Sequence, residues 1–426
     1  MKMPRTPPKI KDILSSPNNI GSLLHDDITK YSQRFNEKYL HWDDVIYQDT
    51  GTIDHKLVWA AMKLSRELTA RKIDLAGLKI KYNLPDTFMR KLHEIDVRSS
   101  SNFVPFDRID EKRRVIYSVS SIMEESIASS QIEGAATTTK VAKTMLRESK
   151  QPKNKSEQMI LNNYNAMKFI KTQLNEPLSP ELMMSIHKIV TTETLEEEHV
   201  GRFRNNNDIA IVDVLTGETF HEPVDYRKMP SMLEALCKFV NDDEHFIHPI
   251  VKGIIIHFVI AYIHPFQDGN GRVSRTLFYW YTLKKGYWLM EYLSISKSIM
   301  NHRGEYDCAY LLSETDENDI TYFINYNLDV INEAVEIFIK YLDRKLKEQT
   351  AAIDAITDLD LNNRQKMIVS DIIRSNELVS VYSISNKYQV SKNTARSDIH
   401  KLISLRILEE DSHDVNRIMY RHTKKV

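Results

Sequence analysis

Ile254-Ile255-Ile256-His257-Phe258-Val259-Ile260-Ala261-Tyr262-Ile263 runs directly into His264-Pro265-Phe266-Gln267-Asp268-Gly269-Asn270-Gly271-Arg272-Val273-Ser274-Arg275. The first ten residues are about half of what a membrane span requires, and a His interrupts them, so they read as a buried helix. That helix ends at a His. A short loop holding one acid and two glycines follows, and a new helix opens at about Arg272. Gly269 and Gly271 let the backbone turn its N–H groups toward one point and let a ligand come close. Those N–H groups stand at a helix N-terminus, where the dipole favours an anion. Arg272 and Arg275 are three apart and share a helix face, and guanidinium forks suit phosphate oxygens. Asp268 offers a hard oxygen to a cation such as Mg²⁺, which keeps several waters and leans on substrate phosphates. His264 can take a proton near neutral pH. A Walker phosphate loop is excluded because no Gly-Lys-Ser/Thr follows, and a dinucleotide fingerprint because a helix precedes the loop where a strand is required.

Outward from this stretch the chain is mainly helical. Helical periodicity covers Asp54 to about Leu75 (with Leu57, Ala60, Met62 and Leu64 apolar), Thr87–Ile95, about 110–134, Lys155–Glu197 with breaks at Pro177 and Pro180, Met229–Asn241, Arg272–Lys284 and Thr321–Glu348. Ile209–Val214 is rich in β-branched residues, Thr216-Gly217 follows as a turn, and Glu218–Pro223 completes a short hairpin. Residues 1 to about 50 are polar with scattered Pro, Asn and Asp, and read as a disordered lead-in.

HPFQDGNGRVSR resembles, without a departure, the HPFx[D/E]GNGRxxR signature of the Fic family, over a region of about residues 50–345. The resemblance implies a helical core with a small β-hairpin flap that transfers AMP from ATP to a Ser, Thr or Tyr hydroxyl of a target protein. It implies His264 as the base that takes the hydroxyl proton and Asp268 as the Mg²⁺ ligand. Gly269, Asn270 and Gly271 would hold the α- and β-phosphates, Arg272 would contact the phosphates, and Arg275 would seat the γ-phosphate. Relatives that phosphorylate carry Lys where this chain has Gly271, which argues for nucleotide transfer. Gly201-Arg202-Phe203-Arg204 and His221-Glu222-Pro223 resemble the flap that positions the target by strand addition. Asn301-His302-Arg303 and Tyr306 stand where relatives surround adenine; Tyr306 with Tyr310 also suits a core aromatic pair at helical spacing.

Ser129-Ser130-Gln131-Ile132-Glu133-Gly134 closes the helix of about 110–134. Ser129 and Glu133 share a face, and Gly134 suits the residue past a helix end. A carboxylate in the last turn faces the negative end of the dipole, so a cation partner would explain it. The family's inhibitory motif [S/T]xxxE[G/N] matches at Ser129, Glu133 and Gly134. It implies that Glu133 pairs with Arg275 and blocks the γ-phosphate, with the brake upstream of the core as in the family's second class. The same residues suit removal of AMP from a modified target, with Glu133 orienting water.

The implied organisation is an N-terminal region over 1–105, a Fic core over 106–345, a linker over 346–360 and a separate unit over 361–426. Residues 360–426 carry 12 Lys/Arg and 8 Asp/Glu, a net of +4. Three helical stretches (Arg364–Arg374, Ser380–Tyr388, Ser391–Leu405) and a hairpin over Ile407–Tyr420 read as a winged helix-turn-helix. Ala395, Ile399, Leu402 and Ile403 face in; Lys392, Asn393, Arg396 and His400 face out, toward either DNA or a protein partner.

The whole chain of 426 residues is 42% apolar and 27% charged with a net charge of −1, which excludes a wholly disordered chain and a polycation. Eleven Gly and 13 Pro fit helices better than a turn-rich sandwich. Cys237 and Cys308 are too few to staple it and read as reduced thiols of a cytoplasmic protein. No membrane segment or secretory signal is expected. The partners implied are ATP, Mg²⁺, a target protein or the chain itself, and a second copy in a homo-oligomer.

Overall fold

Pro249 opens a helix at the position where a missing N–H costs nothing, and every residue from Ile250 to Ile260 is buried. A helix apolar all round belongs in a core. Its partner, residues 270–284, is buried almost as completely. The two approach closely at Gly253, where a Cβ would lie 3.1 Å from both Phe278 and Thr282.

In the computed structural model the described residues are 3–23, 25–99, 111–212, 217–357, 359–375, 378–411 and 418–423. The chain begins with α1 (Ile10–Ile13), α2 (Pro17–Ser22), α3 (Asp26–Glu37), α4 (Trp42–Val45), α5 (His55–Thr69), β1 (Arg71–Leu75), β2 (Leu78–Tyr82) and α6 (Asp86–Arg98). It continues through α7 (Glu111–Ile132), α8 (Thr139–Arg147), α9 (Lys155–Thr172), α10 (Pro180–Thr191), β3 (Ile211–Val212), β4 (Thr219–His221), α11 (Met229–Asn241) and the central helices α12 (Pro249–Ile263) and α13 (Asn270–Lys284). A 3₁₀ turn at Trp288–Tyr292 leads to α14 (Ile295–Asn301), α15 (Arg303–Thr315) and α16 (Thr321–Thr357). The last elements are α17 (Asn363–Ser375), α18 (Val381–Lys387), α19 (Lys392–Ser404), β5 (Leu408–Asp411) and β6 (Met419–His422). Mainly α architecture with three small antiparallel hairpins is therefore what the chain adopts. Two compact units are distinguished: residues 1–103 with 119–335, and residues 104–118 with 336–426.

The N-terminal expectation needs correction. Residues 10–45 hold four helices rather than a disordered lead-in. Phe35 and Val45 are buried with Val58, Trp59, Ala60 and Met62 of α5. His41 Nδ1 accepts the Asp43 N–H at 3.1 Å and caps α4, an unusual cap that no Ser, Thr, Asp or Asn announces. The helix expected to run to Leu75 stops at Thr69, and a hairpin follows. Ala76 and Gly77 both take positive φ, 54° and 97°, the geometry of a tight two-residue hairpin turn. Leu75, Leu78, Ile80 and Tyr82 are buried. The expected linker over 346–360 is helical as far as Thr357, because α16 continues through it.

Buried charge ties this region to the loop before α16. Lys63 Nζ lies 2.8 Å from Asp316 Oδ1. Arg66 donates to Asn36 Oδ1, the Tyr322 hydroxyl and the Leu40 carbonyl, each at 2.8 Å. Every buried charge here has its partner, as burial requires.

In the second unit, Ile368, Val369, Ile372, Ile384, Ala395, Ile399, Leu402, Leu408 and Tyr420 form one core. Val379 bridges Tyr420, beside the β5–β6 ladder.

Candidate active site

The loop between α12 and α13 is held from within. His264 takes left-handed backbone angles, φ 52° and ψ 61°, at the end of α12. Asn270 staples the loop: its Oδ1 accepts the Phe266 N–H at 2.9 Å and its Nδ2 donates to the Phe266 carbonyl at 2.7 Å. The side chain of Asn270 is thus spent on the loop, and its backbone is what remains for a ligand. His187 of α10 stacks on Phe266 with centroids 3.9 Å apart. Its Nδ1 accepts the Gly201 N–H at 3.0 Å, so Nε2 carries the proton and donates to the Asp268 carbonyl at 2.9 Å. Burial pushes this imidazole down to about 4, so it stays neutral.

Arg204 braces the same turn. Its Nε donates to the His264 carbonyl at 2.8 Å, and its backbone N–H to the Pro265 carbonyl at 2.9 Å. Its Nη1 donates to Asn206 O at 2.7 Å and its Nη2 to Val224 O, at the two ends of the β3–β4 hairpin. β3 is only two residues long, and residues 213–216, including Thr216, lie outside the described residues.

His264 is set up as a proton acceptor. Nδ1 lies 3.1 Å from the Ala261 carbonyl, which can only accept, so Nδ1 carries the proton and Nε2 presents a lone pair. Burial lowers its pKa to about 4, with the charge of His221 acting in the same direction. His221 on β4 lies 2.8 Å from Glu314 Oε2 through Nδ1 and 2.8 Å from the Tyr262 carbonyl through Nε2. Burial opposes its charge, but the hydrogen bond and charge of Glu314 raise the pKa.

Glu133 and Arg275 meet as expected from their spacing in the motif. Arg275 Nη2 donates to Glu133 Oε1 at 2.7 Å, while Nε and Nη2 donate to the Ser129 hydroxyl and carbonyl at 2.9 and 3.0 Å. Burial would raise the Glu133 pKa, but Arg275 holds it below the usual range. The carboxylate lies over Gly271: any Cβ there would collide with Oε1 and lie 2.9 Å from Cδ. Gly134 takes φ 91° past the helix end. Arg303 caps the same end, donating to the Ile132 carbonyl at 2.7 Å. Two turns earlier, buried Glu125 accepts from the Tyr279 hydroxyl at 2.8 Å, the Ser296 N–H at 2.9 Å and the Ser296 hydroxyl.

Glu133, His264, Gly271, Arg275 and Tyr306 line one cavity of about 470 Å³ with His221, Arg303, Tyr310 and Glu314. Asp268, Gly269, Asn270 and Arg272 are not among its lining residues. The Tyr306 hydroxyl lies 2.9 Å from His257 Nε2 and 3.4 Å from the Tyr310 hydroxyl, so its ring rather than its polar atom faces the cavity edge. Arg272 is buried, with Nη1 on the Val190 carbonyl at 2.7 Å, Nη2 3.5 Å from Asp268 Oδ2, and Nε buried without a partner among the described residues. An orphaned cationic N–H beside uncapped N–H groups of α13 fits an anion. Half-exposed Asp268 offers one hard oxygen, which suits a Mg²⁺ that takes its other ligands from phosphates and water. Arg204, His187, His221, Glu314 and Glu125 were not among the residues singled out for roles; their bonds run to backbone carbonyls or distant side chains, which no local spacing encodes.

Residues 177–282 match the Fic/DOC family. The chain is 24% identical over 326 residues to the protein adenylyltransferase Fic of Nematostella vectensis, covering 71% of this chain and 69% of that one. It is 26% identical over 178 residues to the protein adenylyltransferase Fic of Aedes aegypti, covering 41% of this chain but only 32% of that one. A Fic family protein from Desulfovibrio desulfuricans G20 shares the fold at a TM-score of 0.52 and 18% identity, over 79% of this chain and 95% of that one.

Proposed function

From the premise that residues 177–282 are a Fic domain, we propose that this chain is a self-inhibited protein adenylyltransferase. It moves AMP from ATP to a Ser, Thr or Tyr hydroxyl of a target protein, itself included, and releases pyrophosphate. The observation that carries the reading is Arg275, held by Glu133 and Ser129 in a cavity that His264 also lines.

His264 Nε2 takes the proton of the acceptor hydroxyl. Its Nδ1–H is anchored on Ala261, and its low pKa keeps it unprotonated at neutral pH. The hydroxyl oxygen bonds the α-phosphorus in line as the bond to pyrophosphate breaks. Arg272 and the α13 N–H groups meet the phosphates, and preorganised donors of this kind are the main source of rate. Asp268 would hold Mg²⁺, which would neutralise phosphate charge when bound. Gly271 leaves the phosphates room that a side chain would fill. In the resting state Glu133 takes the place on Arg275 that a γ-phosphate needs.

The test is labelled ATP with the whole protein, followed by mass spectrometry of the acceptor. An added AMP on a hydroxyl supports the reading, and absence of label from both the chain and every candidate target, with Glu133→Gly as well, refutes it. Removal of AMP would show as the opposite effect of Glu133→Gly, a loss of release from a modified target.

A further inference from the structure

The second unit carries a face that AMP transfer does not use. α18 and α19 are joined by the short turn Tyr388–Ser391, in which Gln389 takes φ 53°. Ser391 caps α19 by accepting the Thr394 N–H at 3.1 Å. The ladder of β5 and β6 follows, and Val379 pairs with Tyr420 beside it. A second helix offered outward from such a turn, with a hairpin beside it, is the geometry that enters a DNA groove.

Side-chain chemistry selects the partner. Lys392, Asn393, Arg396, Ser397, His400, Lys401 and Ser404 are the exposed residues of α19. None is acidic and none is apolar. The helix has one acid, Asp398, and it is buried under Arg364 Nε at 2.7 Å and Gln365 Nε2 at 2.9 Å, which takes its charge off the surface. Asn393, Arg396, Ser397 and His400 follow at offsets of three, four and seven, so they form one stripe. Among the described residues none of these four makes a side-chain hydrogen bond or ion pair. Lys401 makes a loose pair at 3.7 Å with exposed Asp360. A protein-docking face is built around apolar and aromatic anchors, and here the exposed large apolar side chains of the unit, such as Met367, Tyr382 and Ile418, all lie off α19. Arg and Asn are the side chains that pair bidentately with guanine and adenine edges, and Lys neutralises phosphates.

We propose that the outer face of α19 binds duplex DNA in its major groove, with Asn393, Arg396 and His400 toward the bases and Lys392 and Lys401 toward the phosphates. The chain then carries a nucleic-acid site in addition to its nucleotide site.

Fluorescence anisotropy of the whole protein with a labelled mixed-sequence duplex of about three helical turns tests this. Binding is expected, with a log-affinity against log-salt slope of roughly −3 for three or four neutralised phosphates. Arg396→Ala with Lys392→Ala should weaken it about ten-fold or more and flatten the slope by roughly two. Lys30→Ala, on exposed α3, serves as the control for charge alone. Circular dichroism and the melting curve check that each variant is folded, and Lys401→Ala is a second variant should the first pair disturb the unit. No binding at low salt, binding that ignores salt, preference for single strands, or equal loss in Lys30→Ala would each overturn the proposal. Capture of a protein by this face without DNA binding would overturn it too.

Discussion

Glu133 and Arg275 stand 142 residues apart in sequence and 2.7 Å apart in space. One closes α7 and the other lies one turn inside α13, and Ser129 holds the same guanidinium through two further bonds. A carboxylate at the wrong end of a helix dipole is thereby compensated, and a cation suited to a phosphate is occupied.

Glu133→Gly is expected to raise AMP transfer. A hydrogen bond to a charged group is worth about 1.5–3 kcal/mol, so freeing Arg275 corresponds to roughly ten- to a hundred-fold in the competent population. Glu133→Asp should release it partly, and adding Arg275→Ala should cancel the gain. Label incorporation from ATP measures all three, and flat activity throughout would remove Glu133 from the mechanism.

Glu125 sets the register of α7. Glu125→Gln replaces an acceptor of two hydroxyls and the Ser296 N–H by a group whose NH₂ cannot accept. A loss of about 1–3 kcal/mol is expected from the unsatisfied donors. Because α7 also carries Ser129 and Glu133, basal AMP transfer should rise together with the fall in denaturation midpoint. A destabilised protein with unchanged basal activity would confine Glu125 to packing.

His264→Ala should lower transfer by about 10²–10⁴-fold while leaving ATP binding largely intact. In the Glu133→Gly background, the acid limb of kcat/KM should fall near pH 4, since His264 loses its lone pair only as pH drops through about 4. A limb near the ordinary histidine value would mean that the base is solvated.

His221 and Glu314 predict a pH effect of the opposite sense. The folded pKa of His221 is raised, so its contribution to stability is complete below the unfolded value of about 6.5 and is lost as pH rises through the folded one. Above that point a bare Nδ1 faces a carboxylate. Thermal midpoints from mildly acidic to alkaline pH should therefore fall with rising pH in the parent, and Glu314→Gln should flatten that part of the curve.

The site's chemistry was legible where it is local. His264, the two glycines and the arginines sit within twelve residues, and helix periodicity puts Ser129 and Glu133 on one face. Helices α1 and α4, of four residues each, are too short for any period to register, and their burial depends on Trp59 and Met62 of α5. The β1–β2 hairpin was hidden because Ala76 holds a positive φ that Asn or Gly ordinarily marks. Arg204 and His187 were invisible as braces because their partners are carbonyls 60 and 81 residues away.

Arg204 makes the hairpin and the base one mechanical joint. It grips the His264 carbonyl on one side and Asn206 and Val224 on the other. Anything that levers residues 206–224 out of place also pulls on the turn that aims the imidazole. An ill-fitting acceptor is then rejected by a slower turnover and not only by weaker docking, so fidelity toward the acceptor is built into the rate itself.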